Sequence, residues 1–272
     1  MITSDEVATP QSPEQAYQLY RNADSAVFSA GAQGLKYKKG HYDLIVDLSK
    51  TGLNYIRDAG DEIAIGAMTT LAEIEKSPVV QQIAGGAIVR CLQEIPNGDE
   101  KKVTIGGLVA SKAPFSVLLS ILMSLRVDVG LQGKGRMNLS DYIPCPPMRE
   151  MVSQIVIVKE AGYTAFAAYR HQPSDEPYLT GAVAALDEEW RIVVGGRPGV
   201  AAIAENASAE LTEKGMAVRE NVAHLASEEL SFANYGTCSE QERRSLTVDM
   251  VRKLIKEAWK GRSSQLQKSI KR

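Results

Sequence analysis

The residues with the clearest chemical potential in this chain are small ones. Val103-Thr-Ile-Gly-Gly-Leu-Val-Ala-Ser-Lys-Ala-Pro114 places two adjacent glycines after a β-branched pair and closes a small-residue run with proline. Gly106 and Gly107 carry no Cβ, so the backbone there can approach a bulky anion. Successive amide N–H groups in such a bend form a concave nest that favours phosphate, and Thr104 and Ser111 add hydroxyls. A tight turn between core elements is the plainer reading of Gly-Gly alone. A second small-residue turn, Ala30-Gly31-Ala32-Gln33-Gly34-Leu35, follows a short strand, Ala26–Ser29, in the same half of the chain. Neither turn has the Gly-x-Gly-x-x-Gly pattern of dinucleotide-binding Rossmann units.

Other candidates are weaker. His41, His171 and His224 are scattered, with no Cys or carboxylate at ligand spacing, so they read as satisfied surface or core residues. Cys91, Cys145 and Cys238 form no Cys-x-x-Cys pair, which argues against a disulfide framework, a zinc site or an iron–sulfur cluster held by this chain. Gly133-Lys134 lacks P-loop spacing. Gly195–Gly199 reads as a strand-to-helix turn with Pro198 near the helix start, and Asp187-Glu-Glu189 as a hairpin turn. Tyr37, Tyr142 and Tyr169 read as ordinary packing. The expectation is a site with no catalytic side chain and no metal.

The elements that must position these turns follow from periodicity and punctuation. Ser12-Pro13-Glu14-Gln15 is a helix start, with Ser as N-cap and Gln closing a capping box, and the helix runs to Asn22. Asp43–Leu48 is a buried strand, and Asn54–Arg57 with Glu62–Ala67 a hairpin. Thr69 or Thr70 caps a helix ending at Lys76, before Pro78. Helices are expected at Val79–Gln93 and Phe115–Leu125, a second hairpin at Val127–Leu139, and a strand at Met151–Lys159. Strands then follow at Thr164–Tyr169, Thr180–Leu186 and Arg191–Gly195, and helices at Val200–Asn206, Glu210–Leu225 and Glu240–Trp259. Strands followed by helices, without strict alternation, predict an α+β second domain. The expected division is 1–160 and 161–272.

Bulk properties exclude several classes. The chain has 272 residues, 44% of them hydrophobic and 24% charged, with a net charge of −2. Such a balance gives no global field for nucleic acid or anionic membrane. The longest apolar run, near Val117–Leu125, is too short to span a bilayer, and the N-terminus has no secretory pattern. A cytoplasmic protein is expected. The tail from Lys260 carries five Lys/Arg and no acid, and reads as a solvated end.

The stretches now described resemble the FAD-binding subunit of molybdenum hydroxylases, such as xanthine dehydrogenase and the medium subunit of carbon monoxide dehydrogenase. The resemblance rests on the capped helix Ser12–Asn22, the Ala30-Gly31 turn, Ile63-Ala-Ile-Gly-Ala-Met-Thr-Thr-Leu-Ala-Glu-Ile74, and Val103–Gly107 with Ala110, Pro114 and Ser116. Weaker echoes continue at Arg191–Gly196 and Ser239–Arg244. It implies a PCMH-type FAD-binding module in two subdomains, followed by a C-terminal domain of antiparallel sheet and helices. It also implies FAD as cofactor, held by Ser29, Ala30, Gly31, Ala32, Gln33, Gly34, Leu35, Thr104, Gly106, Gly107, Ala110, Ser111 and Ser116. Iron–sulfur and molybdopterin subunits are the implied partners, with electrons passing through FAD to NAD or another acceptor. Leu108, Val117 and Ala167 replace an Asn, an Asp and a Lys of the family pattern, and Arg170 lies near enough to stand in for the last. The alternative reading is a flavin-free subunit that docks the iron–sulfur and molybdenum subunits.

Overall fold

The computed structural model describes residues 2–31, 39–95, 98–172, 175–187 and 189–270. The chain begins with β1 (Ile2–Ala8), α1 (Pro13–Asn22), β2 (Ala26–Ser29), β3 (Gly40–Asp47), β4 (Ile56–Asp58) and β5 (Glu62–Gly66). It continues through α2 (Leu71–Glu75), α3 (Ala87–Gln93), α4 (Ile105–Ser111), α5 (Val117–Met123), β6 (Val127–Leu131), β7 (Gly135–Asn138) and α6 (Leu139–Tyr142). The rest is β8 (Val152–Val158), β9 (Gly162–Tyr169), β10 (Leu179–Leu186), β11 (Trp190–Gly195), β12 (Ala202–Ile203), α7 (Glu205–Lys214), α8 (Arg219–Glu229) and α9 (Glu240–Ile270). No described helix is long and apolar enough to cross a membrane.

One compact unit is made of residues 1–77, 92–111 and 127–158. Ser12 caps α1, its hydroxyl accepting from the Gln15 amide at 3.2 Å. The Gln15 side chain reaches back one residue further than expected, to the Gln11 amide at 2.9 Å. Three parallel strands lie in the order β1-β3-β2, with α1 packed against β2 and β3. A five-stranded antiparallel sheet runs β4-β5-β8-β6-β7. Its central strand, β8, buries the apolar run Ile155-Val-Ile157, as a strand with neighbours on both edges and cover on its faces must. Helix α4 packs on β5 and β8, which fixes the floor of the candidate site.

The other unit comprises residues 78–91, 112–126 and 159–272. Its antiparallel sheet runs β12-β11-β10-β9. All eight residues of β10 are buried, because α5 packs on the strand and so does α9. Side chains alternate between the faces. Leu179, Val183 and Ala185 join the cluster built with α7, α8 and α9, while Thr180 turns to α5 and hydrogen-bonds Ser120 Oγ at 3.0 Å. Helix α9 opens with a capping box: Ser239 Oγ accepts from the Glu242 amide at 3.2 Å, and Glu242 Oε2 accepts from the Ser239 amide at 2.8 Å.

Several boundaries differ from the sequence expectation. β1 has no apolar pattern to announce it, since Ile2-Thr-Ser-Asp-Glu-Val-Ala is mostly polar; it is an edge strand with much of its surface exposed. The expected helix Val79–Gln93 is broken at Ile83–Gly85, where Ala84 takes φ 48° and Gly85 φ 69°. Tyr163 lies directly over Gly85, so a side chain there would collide with the ring. Val200–Asn206 is not a helix: Ala202–Ile203 pairs with β11, and helix begins at Glu205. Glu210–Leu225 is two helices, parted by a tight turn at Gly215–Val218. α9 runs past Trp259 to Ile270. Asp58–Asp61 turns a hairpin as expected, and β10 and β11, on either side of Glu188, which lies outside the described residues, pair antiparallel. The two compact units interleave along the chain, each made of three segments.

Candidate functional site

The site is built from β5 outward. Beyond β5, Ala67 N–H donates to Ser153 O at 2.9 Å and Thr69 Oγ1 closes on Tyr55, accepting from its amide at 3.1 Å and donating to its carbonyl at 2.9 Å. Thr70, not Thr69, is the N-cap of α2, in a full capping box with Glu73. Burial pushes the Glu73 carboxyl up, but hydrogen bonds from Thr70 Oγ1, Asn54 Nδ2 and the Thr70 amide outweigh it, so the group titrates below the usual carboxylate range.

Residues 67–71 then pair with 103–106 through the main chain. Thr70 bridges Thr104, Leu71 N–H donates to Val103 O at 2.9 Å, Ile105 N–H to Thr69 O at 2.9 Å, and Gly106 N–H to Ala67 O at 3.0 Å. The two sequence stretches that carry the family resemblance are therefore one piece of structure.

The central glycines differ from the expected open nest. They lie in the first turn of α4, with Thr104 as a helix cap: Gly107 N–H donates to Thr104 Oγ1 at 3.2 Å and Leu108 N–H to Thr104 O at 2.9 Å. The amides of Ile105 to Leu108 are thus all bonded within the unit. Gly106 faces inward; a Cβ there would lie 2.5 Å from Ala67 Cβ, so the absent side chain serves packing. Gly107 faces outward, and the nearest atom to a Cβ there is the Thr104 hydroxyl at 3.0 Å. Ala110 and Ser111, one turn on, are exposed. Positions 107, 110 and 111 share one face of a helix. The Ser111 hydroxyl donates to Leu108 O at 2.8 Å.

The first glycine turn lies against the second. Thr104 Oγ1 reaches Ala30 O at 3.5 Å. Gly31 is exposed with φ 75°, and a Cβ there would lie 3.4 Å from Lys102 O and 3.5 Å from Thr104 Cγ2. Ser29 ends β2, opposite Asp47 of β3. Ala32, Gln33, Gly34 and Leu35 lie outside the described residues. Ser116 belongs to the other compact unit, where it caps α5 and accepts from the Leu119 amide at 3.2 Å.

The remaining candidates have local roles. His41 contacts Asp5 at 3.1 Å, His171 bonds Thr237 Oγ1 at 2.7 Å, and His224 is exposed. Cys91 and Cys238 are buried, and burial raises the Cys238 thiol above its ordinary range. Burial likewise raises the Tyr142 and Tyr169 hydroxyls. Tyr37 lies outside the described residues. Among the described residues no three His, Cys, Asp or Glu side chains gather to hold a metal. Gly195–Gly199 leads into an extended segment in place of the expected helix; its Arg197 is buried and donates to Ser231 O at 2.7 Å and Val200 O at 2.8 Å.

An α+β chain with a floor of Gly31, Gly107, Ala110 and Ser111 is suited to lay an extended cofactor against main chain. Residues 3–159 match the model of the FAD binding domain in molybdopterin dehydrogenase, and the chain belongs to that family. It is thus an oxidoreductase component of an FAD-binding family. A curated relative, the uncharacterized protein YgfM of Escherichia coli strain K12, is 27% identical over 194 residues, covering 69% of this chain and 72% of the relative. Solved structures share the fold. A chain of Cu,Mo-CO dehydrogenase superposes with TM-score 0.84 at 21% identity, covering 96% of this chain and 99% of that one. A chain of quinoline 2-oxidoreductase from Pseudomonas putida 86 gives 0.82 at 20% identity, covering 94% and 97%. At Gly31 and Gly107 a Cβ would come no nearer than 3.0 Å to any described atom beyond the adjacent backbone, unlike the 2.5 Å at Gly106.

Proposed function

We propose that this chain is the electron-transfer subunit of a xanthine dehydrogenase-like molybdenum hydroxylase. The observation that carries this reading is the junction of the two small-residue turns, Gly31 against Lys102 O and Thr104 Oγ1 against Ala30 O, beside the bare outer face of α4. Ser29 to Leu35, Thr104, Gly107, Ala110 and Ser111 are the proposed cofactor-binding residues. Gly106 is the packing residue that lets α4 sit on Ala67. FAD supplies a carrier between one-electron donors and a hydride acceptor. The protein's part is to bind, orient and shield it, so no side chain is needed as a general acid or base.

In this reading the donors are iron–sulfur clusters on a partner subunit, the substrate is oxidised at a molybdopterin subunit, and NAD or another acceptor takes the electrons. The quinoline oxidoreductase and CO dehydrogenase likenesses support that assembly. We place the boundary between the FAD-binding and C-terminal domains near residue 160, where the family match ends, and the complex in the cytoplasm.

One observation favours a second reading, a flavin-free docking subunit: the α4 amides are already bonded within the chain. Titration with FAD separates the two. Native-state binding must raise the melting temperature and give bound-flavin absorbance. Gly107→Val should weaken binding at least about tenfold, the worth of ~1.4 kcal/mol. A protein whose melting temperature ignores saturating FAD would be the docking subunit.

A further inference from the structure

Helix α2 is only five residues long, yet both its ends are tied to the segment that backs the Gly31 turn. At its start, Thr70 bridges Thr104 and Leu71 N–H holds Val103 O. At its end, Glu75 Oε2 accepts from Lys101 Nζ at 2.6 Å. Lys101 is 7% exposed, unusual for a lysine. It belongs to the tight turn Asp99–Lys102, whose start has no side-chain cap. The next residue, Lys102, presents the carbonyl that faces Gly31. The Lys102 side chain is exposed and pairs locally, with Asp99 at 3.0 Å.

Glu75 keeps 21% of its side chain exposed and Lys101 9%; in a pair so largely withdrawn from water desolvation offsets most of the attraction, and setting a register is its best-attested use. We infer that the Glu75–Lys101 pair is a positioning device for FAD: it fixes the Asp99–Lys102 turn on α2, so that Lys102 O and Thr104 hold the Ala30-Gly31 turn at the distance the cofactor needs. The inference rests on the cofactor site proposed above. The pair acts through main chain and touches no reacting atom. Glu75 replaced alone would strand the buried Lys101 charge, so the informative variant removes both.

The test is FAD titration of the full-length protein by flavin fluorescence and absorbance, well below the unfolding temperature, with circular dichroism confirming the folded state. Glu75→Gln with Lys101→Met should weaken FAD binding about tenfold, equivalent to one displaced hydrogen bond, and broaden the visible flavin band. Lys101→Arg keeps the charge and should stay within about twofold of the wild type. A folded double variant with wild-type affinity overturns the inference, as does an arginine variant no better than the double one. Gly107→Val is the control for the site itself. If it binds FAD as the wild type does, or the wild type binds none, the site reading falls and takes this inference with it.

Discussion

Glycine serves opposite purposes in neighbouring residues of α4. Gly106 has its missing side chain occupied by Ala67, while among the described residues Gly107 has only the Thr104 hydroxyl near it. The first unit repeats the outward use at Gly31. The second unit repeats the inward one: a Cβ on Gly181 would lie 2.6 Å from Met250 Cε, and one on Gly195 would crowd Thr180 and Ser120. The units also satisfy their main chains differently. Around the candidate site, carbonyls and amides bond each other. In the second unit, buried guanidinium groups do part of that work. Arg243, fully buried, donates to Gly196 O at 2.6 Å, Tyr235 O at 2.9 Å and Tyr178 O. A surface proposed to receive a cofactor gains from short side chains; an interior that must pin irregular loops can use long ones.

The contrast can be tested from its strongest side. Arg243→Met leaves Tyr178 O and Gly196 O without their donor, while Tyr235 O keeps the Cys238 amide at 3.3 Å, and each unsatisfied buried group costs about 1–3 kcal/mol. The urea midpoint should therefore fall by the equivalent of at least ~2 kcal/mol with an unchanged slope. Wild-type stability would dissolve the distinction between the units.

The adjacent glycines give the next largest difference. Gly106→Ala drives a Cβ into Ala67 and should destabilise by about 1–3 kcal/mol. Gly107→Ala replaces an outward helical glycine and should change stability by less than ~1 kcal/mol, while measurably weakening FAD. Equal losses from the two would mean that both glycines are packing residues.

The smallest effect is electrostatic. Because the Glu73 carboxyl titrates below its ordinary value, its ionised form contributes stability above the unfolded-state pKa, and this is lost as pH falls through the folded-state pKa. Melting curves of Glu73→Gln should therefore lie below wild type near neutrality and converge with it in acid. Parallel curves at all pH values would remove Glu73 from the account of the α2 cap.

Much of the frame is legible in the sequence because local rules and tertiary demands agree there. Ser12 before Pro13 starts a helix whatever surrounds it, and β10 reads as a strand because an apolar run covered on both faces needs no alternation. Reading fails where distant residues decide. The adjacent Gly85 and Gly86 permit the break at Ile83–Gly85, but what demands a bare position there is Tyr163, packed over Gly85. Ala202–Ile203 is extended because β11 offers an edge, and α7 starts at Glu205 with the Glu229 carboxylate accepting from Asn206 and Ala207 at 3.0 and 3.1 Å. At the site, the glycine pair is visible, but its split into an inner and an outer member is not. Thr104 carries the missing signal, because threonine ahead of a helical run is a favoured N-cap. The buried Lys101 gives no signal in sequence, where it is one member of a polar loop.

The interleaving of the two units has a practical consequence. The segments 78–91 and 112–126 travel with the C-terminal residues in space but with the N-terminal ones in the gene. Arg90 shows what that means, donating to Thr164 O at 2.7 Å with its guanidinium 4.6 Å from the Tyr163 ring. Cutting the chain at residue 160 would part both inserts from the elements they pack on and leave them stranded on the first half. Fragments for expression, and recombinants that trade halves between relatives, must therefore carry both inserts along.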